Sequence, residues 1–60
     1  MFELDQKYIS HSGTILKFLG TIKSGKDIIY RFLLLEDGEI IQCNEKNIDS
    51  LRLKKLEILF

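Results

Sequence analysis

Residues 20–27, GTIKSGKD, carry the G-x-x-x-x-G-K spacing of a phosphate-binding loop. In such a loop backbone N–H groups cradle the phosphates, the lysine reaches the terminal ones, and a following Ser or Thr holds magnesium. Here Asp27 follows Lys26, so the magnesium hydroxyl is missing and a carboxylate would repel phosphate. The next residues are β-rich where a helix is required, and a chain of 60 residues is too short to build the sheet around such a loop. The string reads as a lysine-bearing turn. His11 and Cys43 are a base and a nucleophile by type. Nucleophilic catalysis needs an aligned pair and an oxyanion site, and no third group marks one here. Cys43 reads as a small buried hydrophobe. His11, between Ser10 and Ser12, reads as a solvated turn residue. One Cys and one His rule out an intrachain disulfide and a four-ligand zinc site within one chain. The expectation is a non-enzymatic protein with no cofactor, no metal and no small-molecule substrate.

Two charged groupings remain. Glu36, Asp37 and Glu39 cluster around a predicted turn. They read as a solvated tip, with a weak cation site or an acidic handle for a basic partner as the functional alternatives. Lys17, Lys23, Lys26 and Arg31, with Phe18 or Tyr30 nearby, could form a basic aromatic face for RNA or DNA. Against this, both aromatics fall on predicted core positions. Nine acids also balance nine bases, whereas a dedicated nucleic-acid binder usually carries a basic surplus. The charge is unevenly spread. Residues 1–31 hold five bases and three acids, residues 36–49 five acids and one base, and residues 52–60 three bases and one acid. An acidic middle with basic ends makes a dipolar surface.

The element that must position these groups is a hairpin over residues 28–43, IIYRFLLLEDGEIIQC. Asp-Gly between two apolar runs is a strong hairpin signal, because both central residues of a type I′ turn need positive φ. A two-residue turn at Asp37-Gly38 sets Glu36 opposite Glu39, Leu35 opposite Ile40, Leu34 opposite Ile41, Leu33 opposite Gln42 and Phe32 opposite Cys43. Alternation then separates two faces. Tyr30, Phe32, Leu34, Ile41 and Cys43 form the apolar one, taken as the core. Arg31, Leu33, Leu35, Ile40, Gln42 and Asn44 form the other. A slip of one residue would exchange the faces.

Elsewhere the pattern is of short strands and turns. The first nine residues suggest a short strand or an arm covering one end of a barrel. Residues 10–13, SHSG, form a turn cluster. Residues 14–19, TILKFL, read as a strand with Leu16 and Phe18 on one face, continued by Ile22, and Ile15, Lys17 and Leu19 on the other. Gly20 marks a bulge or sharp bend. Residues 24–27 make a second turn. Residues 44–50, NEKNIDS, predict a loop or one 3₁₀ turn with Ile48 and Leu51 inward. The tail, 53–60, alternates at Leu56, Ile58 and Phe60 as a strand does, with a bulge at Lys54-Lys55.

Four to five short strands in one small domain, 1–60, predict an all-β antiparallel barrel with a 3₁₀ turn before the last strand. The order resembles an SH3-like barrel of the KOW or Tudor kind. The resemblance is carried by residues 13–20, GTILKFLG, by Tyr30-Arg31-Phe32, by Leu35-Glu36-Asp37-Gly38 with Ile41, and by the polar turn at 45–51. It implies a fold and no ligand. The aromatic cage of Tudor domains and the Trp-rich groove of peptide-binding SH3 domains are both unrecognisable, and the chain has no Trp and no Pro.

A chain this short buries roughly 60% of its unfolded surface and is marginal alone. Ala and Val are absent too, so Ile and Leu supply most of the apolar side chains. Such usage fits an AT-rich coding sequence, as in low-GC bacteria and their phages or plasmids. The acidic N-terminus lacks the features of a signal peptide, no run is long enough to span a membrane, and one free cysteine suits a reducing compartment. A soluble cytoplasmic protein without a membrane partner is expected. Ile15, Leu19, Leu33, Leu35, Ile40 and Leu59 fall on faces that a thin barrel leaves partly wet, and contiguous exposed apolar surface marks an interface. The leading expectation is therefore a protein-binding module. It homodimerises, or docks as an accessory or inhibitor subunit on a larger protein, through Leu33, Leu35, Ile40, Ile15 and Leu19. The alternative is a nucleic-acid-binding barrel using Lys17, Lys23, Lys26 and Arg31.

Overall fold

The computed structural model describes residues 2–57. Five antiparallel strands form one open sheet in the order β4-β3-β2-β1-β5. They are β1 (Lys7–Ile9), β2 (Ile15–Ser24), β3 (Asp27–Leu34), β4 (Ile40–Asn44) and β5 (Lys54–Lys55). Between β4 and β5 lie a one-turn helix, α1 (Glu45–Ile48), and a 3₁₀ turn (Asp49–Leu51). The chain is all-β, with the 3₁₀ turn where the polar stretch 44–50 places it.

The tightest turn is Gly25-Lys26, which joins Ser24 to its partner Asp27. Gly25 has φ +62, the positive value that a II′ hairpin requires at its first central residue and that glycine adopts without a Cβ clash. The predicted two-residue turn at Asp37-Gly38 does not form. Leu34 N–H donates to the Glu39 carbonyl at 2.8 Å, and Gly38 N–H to the Leu34 carbonyl at 2.8 Å, closing a four-residue loop. Gly38 takes the positive φ of +75 at its end. The register is therefore displaced by two residues: Leu33 faces Ile40, Phe32 faces Ile41, Arg31 faces Gln42 and Tyr30 faces Cys43. Glu36 no longer opposes Glu39, so the like-charge contact of the shorter turn is avoided. A two-residue displacement keeps each side chain on its face, so the expected core face survives the wrong turn.

The expected bulge lies between Phe18 and Gly20, where the β2–β3 register shifts. It reverses the phase of β2. Ile22 pairs with Ile29 on the outer face, and so does not continue the Leu16–Phe18 side; Thr21 and Lys23 take that side, opposite Tyr30 and Ile28. β2 also runs five residues past its expected end at Leu19. Past the Ile22–Ile29 pair the β2–β3 hairpin has no third strand among the described residues, since β1 reaches only Lys17 and β4 only Ile29. Residues 21–28 are all exposed. This ribbon stands out from a molecule drawn out to 42 × 20 × 20 Å.

Phe32, Leu16, Phe18, Tyr8 and Ile48 form the core, with Phe32 fully buried. Tyr30, Leu34, Ile41, Cys43, Leu51 and Leu53 pack against it. The N-terminal arm closes one side. Phe2 lies 5.0 Å from Tyr8, 5.5 Å from Phe18, 5.7 Å from Tyr30 and 5.4 Å from Phe32, ring centre to ring centre. Three of these contacts are edge-on, the geometry aromatic quadrupoles favour. Glu3 N–H donates to the Tyr8 hydroxyl at 2.7 Å. Glu3 also reaches across to β5, 3.1 Å from Lys55 Nζ. Its hydrogen bond, and then its charge, raise the Lys55 pKa. At this exposed site the pair is a guide for the arm more than a source of stability.

Asn44 ends β4 and starts α1, accepting Asn47 N–H on its side-chain oxygen at 2.9 Å. This cap turns the chain so that Ile48 enters the core. Asn44→Ala should lower stability by about 1 kcal/mol, read as a shift of the thermal melting midpoint. An unchanged midpoint would mean that Ile48, and not the cap, holds the turn. In the tail, Lys54 and Lys55 are not a bulge. They are the strand itself, paired with Ile9 and Tyr8. The predicted alternation at Ile58 and Phe60, and the predicted interface residue Leu59, lie outside the described residues.

Candidate functional site

The catalytic-looking stretches are absorbed into the backbone frame. In residues 20–27 Gly20 is at the bulge, residues 21–24 pair with β3, and Gly25-Lys26 is the hairpin turn. No helix follows, so the N–H groups that would cradle phosphate serve a strand ladder. His11 sits in the β1–β2 turn with Nδ1 3.3 Å from the Leu51 carbonyl. Cys43 lies on β4 opposite Tyr30 and packs against the core. No hydrogen bond joins the two among the described residues. Burial pushes the Cys43 thiol up from its ordinary range, so it is protonated at neutral pH and a poor nucleophile.

The acidic group is a loop tip. Glu36, Asp37 and Glu39 are exposed, and Asp37 Oδ1 accepts Glu39 N–H at 3.3 Å. No set of three His, Cys, Asp or Glu side chains suited to a metal ion occurs among the described residues. No helix among them is long and apolar enough to cross a membrane.

The four basic residues divide between two faces. Lys17 pairs with Leu33 and Arg31 with Gly20 on the outer face. Lys23 pairs with Ile28 on the inner side of the ribbon, and Lys26 is in its turn. Lys17 Nζ lies 3.8 Å from Asp5.

The apolar group is brought together. Leu33 pairs with Ile40, and Leu35 N–H donates to the Ile15 carbonyl at 3.3 Å. Alternation sets all four on the outer face of the sheet. Ile15 is 37% exposed, Leu35 40% and Ile40 51%, while Leu33 is half-buried. Ile15, Leu35 and Glu36 also line a depression of about 440 Å³ beside the Ser12–Thr14 turn. Leu19, at the bulge, is half-buried. Ile22 and Ile29 extend the same face toward the ribbon.

No family model, curated protein or solved structure matches this chain. The site therefore rests on its own geometry.

Two features of it are not readable from the sequence. One is the depression of about 420 Å³ lined by Ile9, Ser10, His11, Arg52 and Lys54, which the 3₁₀ turn assembles from distant residues. The other is the state of Arg31. It stands in the middle of the apolar outer face, and its Nε is buried without a hydrogen-bond partner. Only the β-bulge could have signalled this, since it sets Gly20, with no side chain, opposite the arginine.

Proposed function

We propose that this chain is a non-enzymatic protein-binding module that docks through the outer face of its sheet. The supporting observation is the contiguity of Ile15, Leu33, Leu35 and Ile40 on a surface that no element covers among the described residues. Such a patch is unfavourable in water and becomes favourable when a partner buries it. β4 is an edge strand with no further neighbour among the described residues, and it carries neither Lys nor Pro to blunt that edge. The architecture we propose is SH3-like, of the KOW or Tudor kind: the last strand lies beside the first, after a 3₁₀ turn. On size and composition we place it in a bacterial cytoplasm, as a self-associating protein or a phage- or plasmid-borne accessory or inhibitor subunit. The test is solution mass. Leu33→Asp should reduce assembly while leaving the β-sheet circular dichroism intact; assembly unchanged by Leu33→Asp and Leu35→Asp together would reject the face.

The projecting ribbon favours a second reading. A two-stranded ribbon has the width of the DNA major groove, and residues 21–28 present Lys23 and Lys26 clear of the sheet. In this reading Lys17 and Arg31 contact phosphates from the outer face. Binding to an oligonucleotide would then fall steeply with salt, and Lys23→Gln with Lys26→Gln would lower the salt slope by about 2. A salt-insensitive slope, or no binding at low salt, discards this reading.

A further inference from the structure

Arg31 is out of place on the face just described. Its neighbours along β3 on that face are Ile29 and Leu33, and its cross-strand partners are Gly20 and Gln42. Two cations stand on the β2–β3 part of this face. Lys17 has a carboxylate, Asp5, at 3.8 Å. Arg31 has none within 4 Å among the described residues, and its Nε is buried with no acceptor. A guanidinium with no carboxylate beside it is shaped for one, which it can meet with two parallel hydrogen bonds. The occupant of this face should therefore bring an acidic group to Arg31 and apolar groups to Leu33 and Ile40.

The chain itself meets both requirements. Residues two apart on a strand lie about 6.7 Å apart. Leu33 thus has Arg31 at that distance on one side, and on the other Leu35 and then Glu36 follow just past the end of β3. Glu36 is exposed and lines the depression that also contains Ile15 and Leu35. A closed pair of identical chains must be self-complementary about a two-fold axis. An axis near Leu33 lays Arg31 of each copy over Leu35 and Glu36 of the other.

We propose that the occupant of the outer face is a second copy of this chain. The two sheets stack face to face, Leu33 and Ile40 form the dry centre, and Arg31 of each copy pairs with the partner's Glu36. This rests on the protein-docking reading and adds to it the partner and the charged contact that sets its orientation. Both acid–base pairs form in one dimer, so the effect of a reversal is doubled.

The experiment is a monomer–dimer dissociation constant by analytical ultracentrifugation for the wild type, Arg31→Glu, Glu36→Arg, Leu33→Asp and an equimolar mixture of the two charge reversals. Each reversal alone sets like charges together twice and should weaken dimerisation about 100-fold, ~10-fold per pair. The mixture should recover a heterodimer within a few-fold of wild-type affinity. In that heterodimer one contact holds the exchanged pair, with acid and base swapped between the two positions, and the other holds the native Arg31–Glu36 pair. Recovery on mixing also shows that both variants are folded. If Leu33→Asp blocks association but the reversals do nothing, or the mixture fails to recover, the Arg31–Glu36 pairing is wrong and the docking face stands. A wild type that stays monomeric overturns the second copy as occupant. If it dimerises and Leu33→Asp leaves the dimer intact, the face itself is wrong.

Discussion

Phe32→Ala should leave the chain unfolded at room temperature. Phe32 is the fully buried centre of the core, in contact with the rings of Phe2 and Phe18 at 5.4 and 5.2 Å. Removing a buried phenylalanine costs about 3–5 kcal/mol in lost transfer energy and cavity. A domain of this size draws roughly 3–5 kcal/mol from its core, and its single cysteine leaves no intrachain disulfide to add to it. Loss and reserve are equal in size, so the native population disappears. Far-UV circular dichroism and a urea titration read this directly. The neighbour Leu33 is the control. It sits on the opposite face, half-buried, and Leu33→Ala should leave the monomer's fold in place. A cooperative urea transition in Phe32→Ala at the wild-type midpoint would show that the face assignment of β3 is inverted.

Leu33→Asp carries the second large effect, on association. Leu33 is half-buried in the monomer and faces Ile40, which is 51% exposed. Burying a leucine fully is worth about 1.5–3 kcal/mol. Only the half still exposed is gained on association, about 0.75–1.5 kcal/mol per copy. A two-fold interface counts each substitution twice, so the variant loses about 1.5–3 kcal/mol before the added carboxylate is desolvated. That is roughly one to two powers of ten in the dissociation constant. The loss should persist at high salt, because an apolar contact is not screened. Sedimentation at low and high ionic strength checks it. A variant that dissociates only at low salt would assign the effect to the new charge and not to the lost leucine.

How far the sequence carries the structure can be seen at three places. The core face of the hairpin is legible because Tyr30, Phe32, Leu34, Ile41 and Cys43 alternate with polar or mixed neighbours, and a strand's period of two leaves one solution. Its turn is not. Asp37-Gly38 has the composition of a two-residue turn, but a longer loop removes the Glu36–Glu39 opposition and still places Gly38 at positive φ. Local composition does not decide between loop lengths that preserve the same faces. Past Gly20 the pattern misleads for a different reason. The glycine signals the bulge but not the phase change that follows it, so the pattern sets Ile22 inward and hides the projecting ribbon. Lys54 and Lys55 show the remaining limit. They pair with Ile9 and Tyr8 through backbone groups alone, which leaves no mark in side-chain pattern.

The candidate site follows the same division. Ile15, Leu33, Leu35 and Ile40 are recognisable as surplus apolar residues, and the sheet gathers them. In the sequence Arg31 reads as one member of a basic face. Its lack of a carboxylate partner among the described residues depends on which strands flank β3 and on the missing side chain at Gly20, neither of which is written locally.

The measurement that bears most directly on the outer face as a self-docking surface is the solution mass of the wild-type chain, by light scattering during size exclusion at low and high salt, with absorbance at 260 and 280 nm. A dimer free of nucleic acid at both salts is the predicted result. A monomer at every concentration, or a species that carries nucleic acid at low salt and sheds it at high salt, would contradict it.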